Sequence, residues 1–391
     1  MKFVNTFSML VASSVVASAS FSTQEFLYKD PRVMGMGGAN IAVGGYSSSV
    51  FSNPAGLATL KNKEGFDVEL LGISVGASKD LKDFADDIKD VEEADEAVTV
   101  LDKYSGDAFS ISLANYSSIT YHIDSSTVVN FGILAAGDGT FISHGNGSKD
   151  GLLEAHTRVY GAVILSGAKT FDNLLPGNVT FGLGIKYVKQ NSYEAALDVD
   201  DIANHSDDLD TYLKDEYKKE DSGVGVDIGI LYEPNIEAIN FLHPRVGLSV
   251  LNIGNLDFDN YGAQPTTVNV GMAISPEVPY ISSLTVAVDI VDITNEQQAR
   301  IMNSKTGEYE NVDIAFDFLQ HLKAGVSIGL FENEWTNIRL NTGVYQGDIS
   351  AGLELDVFGG KLQFTTYQEQ LGSETGQLED RRYMLGFGIG W

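Results

Sequence analysis

From Arg381 to the C-terminus the chain reads RRYMLGFGIGW. Tyr383, Leu385, Phe387, Ile389 and Trp391 share one parity, and Met384, Gly386, Gly388 and Gly390 fill the other. Period-two alternation belongs to a β-strand, whose side chains point to opposite faces in turn. A half-solvated soluble sheet sets charged or hydroxylated residues on its second face. Here that face is almost bare. Val224, Val226, Ile228, Ile230 and Tyr232 likewise oppose Gly223, Gly225, Asp227 and Gly229. Val179, Phe181, Leu183, Ile185 and Tyr187 oppose Thr180, Gly182, Gly184 and Lys186, and Leu322 to Leu330 oppose Lys323, Gly325, Ser327 and Gly329. Further segments put Asn269, Asp289, Arg339, Asn341, Glu354 and Asp356 on the second face.

Each segment is about ten residues long, the length of a tilted strand crossing a bilayer. The apolar parity meets lipid. Glycine and isolated charges line a lumen, where charges are tolerated if wet or paired. The pattern predicts an all-β fold, a transmembrane antiparallel β-barrel of about 12–14 strands between Gly65 and Trp391. No stretch after the N-terminus reaches the roughly 18 apolar residues of a spanning helix.

The first residues read as an export signal, with Lys2, an apolar run from Phe7 to Val16, and Ala17-Ser18-Ala19 as the small-x-small cleavage pattern. The expected organisation is a signal peptide over residues 1–19, an N-terminal segment over 20–60, and a barrel over 61–391. Two acidic, partly helical excursions interrupt the barrel at 79–103 and 194–222. In the first, Leu81, Phe84, Ile88, Val91 and Val98 fall near helical spacing among acidic residues.

Other chemistry fits poorly. A formal net charge of −29 opposes nucleic-acid binding. The absence of cysteine removes disulfides, thiolate metal sites and cysteine nucleophiles. Gly35-Met36-Gly37-Gly38 follows no strand and lacks both the downstream acidic residue of a dinucleotide site and the lysine-hydroxyl pair of a phosphate loop. Gly72-Ile73-Ser74-Val75-Gly76 and Gly325-Val326-Ser327-Ile328-Gly329 match a nucleophile-elbow pattern, but an elbow needs an α/β sheet. The six histidines form no metal-binding pair. Asp198, Asp200, Asp201, Asp207, Asp208 and Asp210 lack calcium-loop spacing. The expectation is no enzyme, no cofactor and no metal.

A last strand ending in Trp391 resembles the signal, here Tyr383, Leu385, Phe387, Ile389 and Trp391, that barrel-assembly machinery reads in outer-membrane proteins. DPRVMGMGGANIAVGGYSSSVFSNPAGLA, from Asp30 to Ala58, resembles the N-terminal segment of the FadL-type hydrocarbon transporters. The matching residues are Gly35, Gly37, Gly38, Asn53, Pro54 and Ala55. The resemblance implies a hatch inside the barrel. Asp30-Pro31-Arg32, the acidic segment, Leu175–Lys189 and Arg245–Asn255 are most similar to the barrel-type TraF-like proteins named for conjugal transfer. It further implies location in the cell outer membrane and passive transport of a hydrophobic small-molecule ligand past the hatch. The alternative is a structural or assembly component of the outer envelope. The hatch is expected to end at Asn53-Pro54-Ala55 near the first strand. Lys186, Asp227, Arg339, Asn341 and Glu354 are expected to face the lumen, with Lys186, Asp227, Arg339 and Glu354 holding the hatch's backbone.

Overall fold

The computed structural model describes residues 26–62, 64–89, 94–144, 153–197, 209–258, 261–302, 309–333, 335–372 and 374–391. The export signal, Val91, and Asp198, Asp200, Asp201, Asp207 and Asp208 lie outside these residues.

The alternating segments form the strands of one closed wall. They are β1 (Gly65–Ser78), β2 (Ala108–Asp124), β3 (Thr127–Ser143), β4 (Leu153–Leu175), β5 (Gly177–Leu197), β6 (Lys218–Pro234) and β7 (Arg245–Gly254). Next come β8 (Thr267–Ile274) and β9 (Ser283–Ile290), then β12 (Leu322–Glu332), β13 (Thr336–Tyr345), β14 (Asp348–Val357), β15 (Gly360–Gln370) and β16 (Glu379–Gly390). A hairpin of β10 (Gln298–Met302) and β11 (Tyr309–Asp313) stands apart from them. The fourteen wall strands form a closed antiparallel barrel, sealed where β1 pairs with β16 from Glu69↔Gly390 to Ser78↔Arg382. No described helix is long and apolar enough to cross a membrane.

The parity holds. Leu183 is 59% exposed and Leu385 57%, while Gly182, Gly184, Lys186, Gly386 and Gly388 are buried. Exposed apolar rows girdle the barrel. Trp335 and Phe358, with ring centroids 5.6 Å apart, and Trp391 mark one rim. Aromatic girdles at the interfaces are expected of a membrane barrel.

The two ends differ. Turns at one end are short, as at Asp124–Thr127, Leu175–Gly177 and Val357–Gly360, and the C-terminus lies there. Both acidic excursions and the hairpin leave from the other end. The first excursion contains α1 (Leu81–Lys89) and α2 (Ala94–Lys103), and the second contains α3 (Leu209–Glu216). The second is shorter than expected. β5 continues to Leu197 and β6 starts at Lys218, so residues 194–197 and 218–222 are strand. Pairing continues there, from Leu153↔Leu197 and Tyr193↔Lys218, beyond the exposed apolar rows.

On this raised part the outward face is covered. Phe109, Phe141, Leu153, Ala155, Ala195 and Leu197 bury against Phe84, Leu101 and Tyr104, with Tyr212 and Tyr217 at the edge. Phe84 stacks on Phe109 at 4.1 Å. The helices thus cover the apolar outward side chains of this raised end. On their solvent side, hydrogen bonds from the Lys103 ammonium (2.5 Å) and the Tyr104 hydroxyl hold the Asp87 carboxyl below its usual range. The wall is lowest at β8 and β9, which have 8 residues each against 23 in β4.

Candidate functional site

The lumen is filled by the chain's own N-terminal segment. Asp30 accepts a hydrogen bond from the Arg32 amide at 2.8 Å and caps a single helical turn at Pro31–Gly35. Two 3-10 turns follow, Ser47–Phe51 and Pro54–Thr59. Asn53 is extended (φ −155°), as a residue before proline prefers, and its Oδ1 accepts from the Ala55 amide at 3.0 Å. The described residues from Phe26 to Leu60 are mostly buried, although most are small or polar.

Glycine makes this fit possible on both surfaces. Gly37 has φ +68°, and a Cβ there would lie 2.1 Å from the Ala324 carbonyl oxygen. Across the contact, a Cβ on Gly182 of β5 would lie 2.1 Å from the Ala55 nitrogen. Gly229, Gly247, Gly325, Gly343 and Gly352 meet the segment in the same way from five other strands. The segment meets strands all round the wall. A backbone packed on a backbone admits no side chain.

The polar anchors differ from those expected. Lys186 donates to both Asp227 oxygens at 2.8 and 2.9 Å, and Asp227 also accepts from the Asn252 amide at 2.8 Å. The pair serves the wall. Arg339 reaches the Tyr46 hydroxyl and Glu354 (3.5 Å), so its hold on the segment is through a side chain. Glu354 lies against Arg339 and Gln363, and Asn341 is buried in the wall. Opposite charges on adjacent strands satisfy one another first, because an unpaired buried charge costs far more than a missed neutral bond. The segment's backbone is held by other groups. Asp289 accepts from the amides of Asn40 (2.6 Å) and Ile41 (2.8 Å). Ser249 donates to the Ser52 carbonyl at 2.7 Å, Arg245 to Val43 at 2.9 Å, Thr365 to Pro31 at 2.6 Å, and Tyr160 to Leu27 at 3.0 Å.

Asn53-Pro54-Ala55 does not lie against the first strand. Asn53 donates to the Ile230 carbonyl of β6 at 3.1 Å, and Ala55 abuts β5. The chain then returns through Leu60 and Lys61 to β1 at the short-turn end, because the second 3-10 turn carries it back across the lumen.

A second filling segment was not anticipated. Between β7 and β8 the described residues 255–258 and 261–266 fold into the barrel. Leu256 and Phe258 join Leu27, Tyr28, Val50 and Phe51 in the main apolar cluster. Gly223 and Gly225 make room for this loop, a Cβ on Gly225 falling 2.6 Å from Leu256 Cδ1. The sequence signal is the broken alternation at Asn252 (φ +62°) and Gly254 (φ +144°), where β7 bulges inward against β6. Between the N-terminal segment and the wall a cavity of about 40 Å³ remains, lined in part by Tyr28, Ser112, Arg158, Tyr160 and Arg382. A wider charged recess of about 290 Å³ opens at the short-turn end around Tyr46, Glu69, Arg339, Asp356 and Lys361. Ser74 sits in the lumen-facing row of β1, which runs on as strand to Ser78 with no strand-to-helix elbow.

The sequence pattern of the family described as "F plasmid transfer operon, TraF, protein" matches residues 148–307. No curated protein matches the sequence. Among solved structures, the Ralstonia pickettii toluene transporter TbuX aligns over 93% of this chain and 97% of its own at 14% identity and a TM-score of 0.51. The TodX deltaS2S3 mutant monoaromatic hydrocarbon channel aligns over 93% and 98% at 10% identity and a TM-score of 0.56. The Pseudomonas putida toluene transporter TodX aligns over 96% and 98% at 11% identity and a TM-score of 0.50. The chain thus has the fold of these transport channels, with the TraF pattern on its middle stretch.

Proposed function

We propose that this protein is an outer-membrane barrel that lets a hydrophobic small molecule cross passively, and that the described state is closed. The observation that carries the reading is the anchored N-terminal segment seated in the lumen of a fold shared with TbuX and TodX. The exposed apolar girdle suits outer-membrane lipid. The short-turn end faces the periplasm and the acidic collar faces outward, the usual asymmetry of such barrels. Tyr383, Leu385, Phe387, Ile389 and Trp391 present the outward row that barrel-assembly machinery would read.

A second reading is favoured by two observations, the small size of the cavity beside the N-terminal segment and the helices packed outside the wall. In that reading the barrel transports nothing and its collar engages other envelope components.

In-frame deletion of residues 33–55 separates the readings. It should leave a folded, heat-modifiable barrel that conducts potassium chloride in a planar bilayer, while the full-length protein stays nearly closed. If both forms conduct alike, the segment is no hatch. If neither conducts, the transport reading fails and the structural role takes its place.

A further inference from the structure

The hatch is not equally tight on every side. On β5 a Cβ at Gly182 would lie 2.1 Å from the Ala55 nitrogen. On β7 and β12, Gly247 and Gly325 would come within 2.3 Å of the Ile41 carbonyl oxygen and 2.1 Å of the Met36 carbonyl oxygen. Backbone fills the space there. The seam between β1 and β16 is different. Gly388 of β16 is buried on the lumen-facing row, yet a Cβ there would meet nothing nearer than 3.8 Å. The nearest atoms belong to Gly72, Lys361 and Glu69, all of the wall. The hatch leaves this stretch of seam uncovered.

The uncovered stretch borders the charged recess at the short-turn end, which Glu69, Lys361 and Gly390 of the wall line together with Asp30, Ser47 and Ser48 of the hatch. Two residues further along β16, Gly386 pairs with Ser74 of β1, and Ser74 lines the small cavity. The hatch meets the seam at this same level, where Pro31 Cγ lies 3.1 Å from the place of a Gly386 Cβ. Within the hatch, Lys29 lines the small cavity and the next residue, Asp30, lines the recess. The two spaces are therefore divided by little more than residues 29–31 with Ser47 and Ser48 behind them. Side chains hold this partition. Ser48 donates to Asp30 at 2.6 Å, and Ser47 donates to Glu69 of β1 at 2.5 Å. The chain enters Tyr46–Ser48 through Gly45 (φ +82°), where a Cβ would meet nothing nearer than 3.8 Å, so the serines have room to shift.

We infer that the passage past the hatch runs along the β1–β16 seam, from the small cavity to the recess, and that the Ser48–Asp30 and Ser47–Glu69 bonds close it. Both ends offer apolar surface to a hydrophobic molecule, Phe26, Leu27 and Met384 in the small cavity and Leu60, Val68 and Trp391 in the recess. Release of the two serines joins the spaces while the backbone contacts on β5, β7 and β12 stay in place. The route rests on the transport reading and names the side of the hatch on which transport occurs.

The absence of native cysteine permits a direct test. Ser74→Cys puts a buried thiol on the wall of the small cavity, and its reaction with a water-soluble maleimide is timed in the full-length protein. Ser47→Ala with Ser48→Ala should speed labelling about tenfold, the factor given by about 1.4 kcal/mol in the opening equilibrium. Arg32 should stay protected from trypsin, because the hatch stays seated. Cleavage there would mean that the whole hatch leaves, and would overturn the route. Adding Gly388→Trp, which fills the uncovered seam, should return labelling to the parental rate, whereas adding Gly388→Ser should not. Unchanged heat-modifiable migration shows each barrel to be folded, and Gly388→Met replaces the tryptophan if that barrel fails the check. Labelling of the double-alanine variant at the parental rate would overturn the inference. So would fast labelling that the folded Gly388 block leaves unchanged. Conductance of the variant lacking residues 33–55 reports separately on transport, so a misplaced route and a failed transport reading give different results.

Discussion

Gly182→Val tests whether the hatch is seated where the geometry puts it. The new Cβ would lie 2.1 Å from the Ala55 nitrogen, 2.4 Å from the Pro54 carbonyl carbon and 2.7 Å from the Ala55 Cα. All three are backbone atoms, so no side chain can turn aside. Ordinary contact starts near 3.4 Å, and the hatch must therefore retreat by more than an ångström. That movement breaks the Asn53 bonds to the Ile41 and Ile230 carbonyls (2.8 and 3.1 Å) and strains its bond from Ala55 (3.0 Å). At about 1 kcal/mol net for each hydrogen bond, the seat loses roughly 3 kcal/mol. The wall itself gains, because valine suits a strand better than glycine by up to about 1 kcal/mol. A loss of roughly 3 kcal/mol shifts the seated fraction by about 100-fold. The assay is trypsin cleavage after buried Arg32 in the folded barrel, read beside bilayer conductance. Both should rise. Gly388→Ser is the control, since a Cβ there meets nothing nearer than 3.8 Å. A Gly182→Val barrel as protected and as closed as the parent would refute the seating.

Three further outcomes are expected. Phe387→Arg puts a charge on the lipid face and should cost roughly 2–4 kcal/mol in urea unfolding from lipid vesicles, against little for Gly388→Ser. Asp227→Asn leaves Lys186 buried without its counter-charge and should cost about 3–5 kcal/mol, while the double change with Lys186→Met should recover most of that loss in the same assay. Phe84→Ala empties the collar beside Phe109 and should cost about 3–5 kcal/mol locally. It is read as faster proteolysis within residues 79–103, with no rise in conductance.

The barrel was legible because strand parity is a local signal. Phe181, Leu183, Ile185 and Tyr187 face out for the same reason in the sequence and in the fold. The small-residue run was legible in the same local way, and in the fold its backbone lies against bare strand faces. Its anchors were not. Nothing local distinguishes Asp289, which holds two hatch amides, from Asp227, which holds Lys186. That difference depends on what lies across the lumen, some 250 residues away in the chain. The inward loop and hairpin were missed for a converse reason. Asn252 and Gly254 announce a break in β7, but a break does not say whether the following chain turns out to water or into the barrel. Gly223 and Gly225 decide it by leaving the neighbouring wall open to Leu256.

The glycine rows also bear on how the hatch could work. A water-filled lumen favours polar side chains, because they interact with solvent at little cost. At Gly182, Gly229, Gly247, Gly325, Gly343 and Gly352 the wall is instead shaped to a peptide backbone. Asp289 adds a carboxylate with no exposed surface whose donors include the Asn40 and Ile41 amides. Complete withdrawal of the segment would strip that charge of both amide donors and leave a row of wall cavities empty. Each step is unfavourable, and there are several of them. Partial displacement costs less. The stretch nearest the small cavity, Leu27 to Lys29, is held by Tyr160 and Glu369 and shares its apolar cluster with the inward loop through Leu27 and Tyr28. Movement of the loop removes apolar support from this end first. The physical expectation is that Leu27 and Tyr28 give way first, while Asn40, Ile41 and Asn53 stay pinned to the wall.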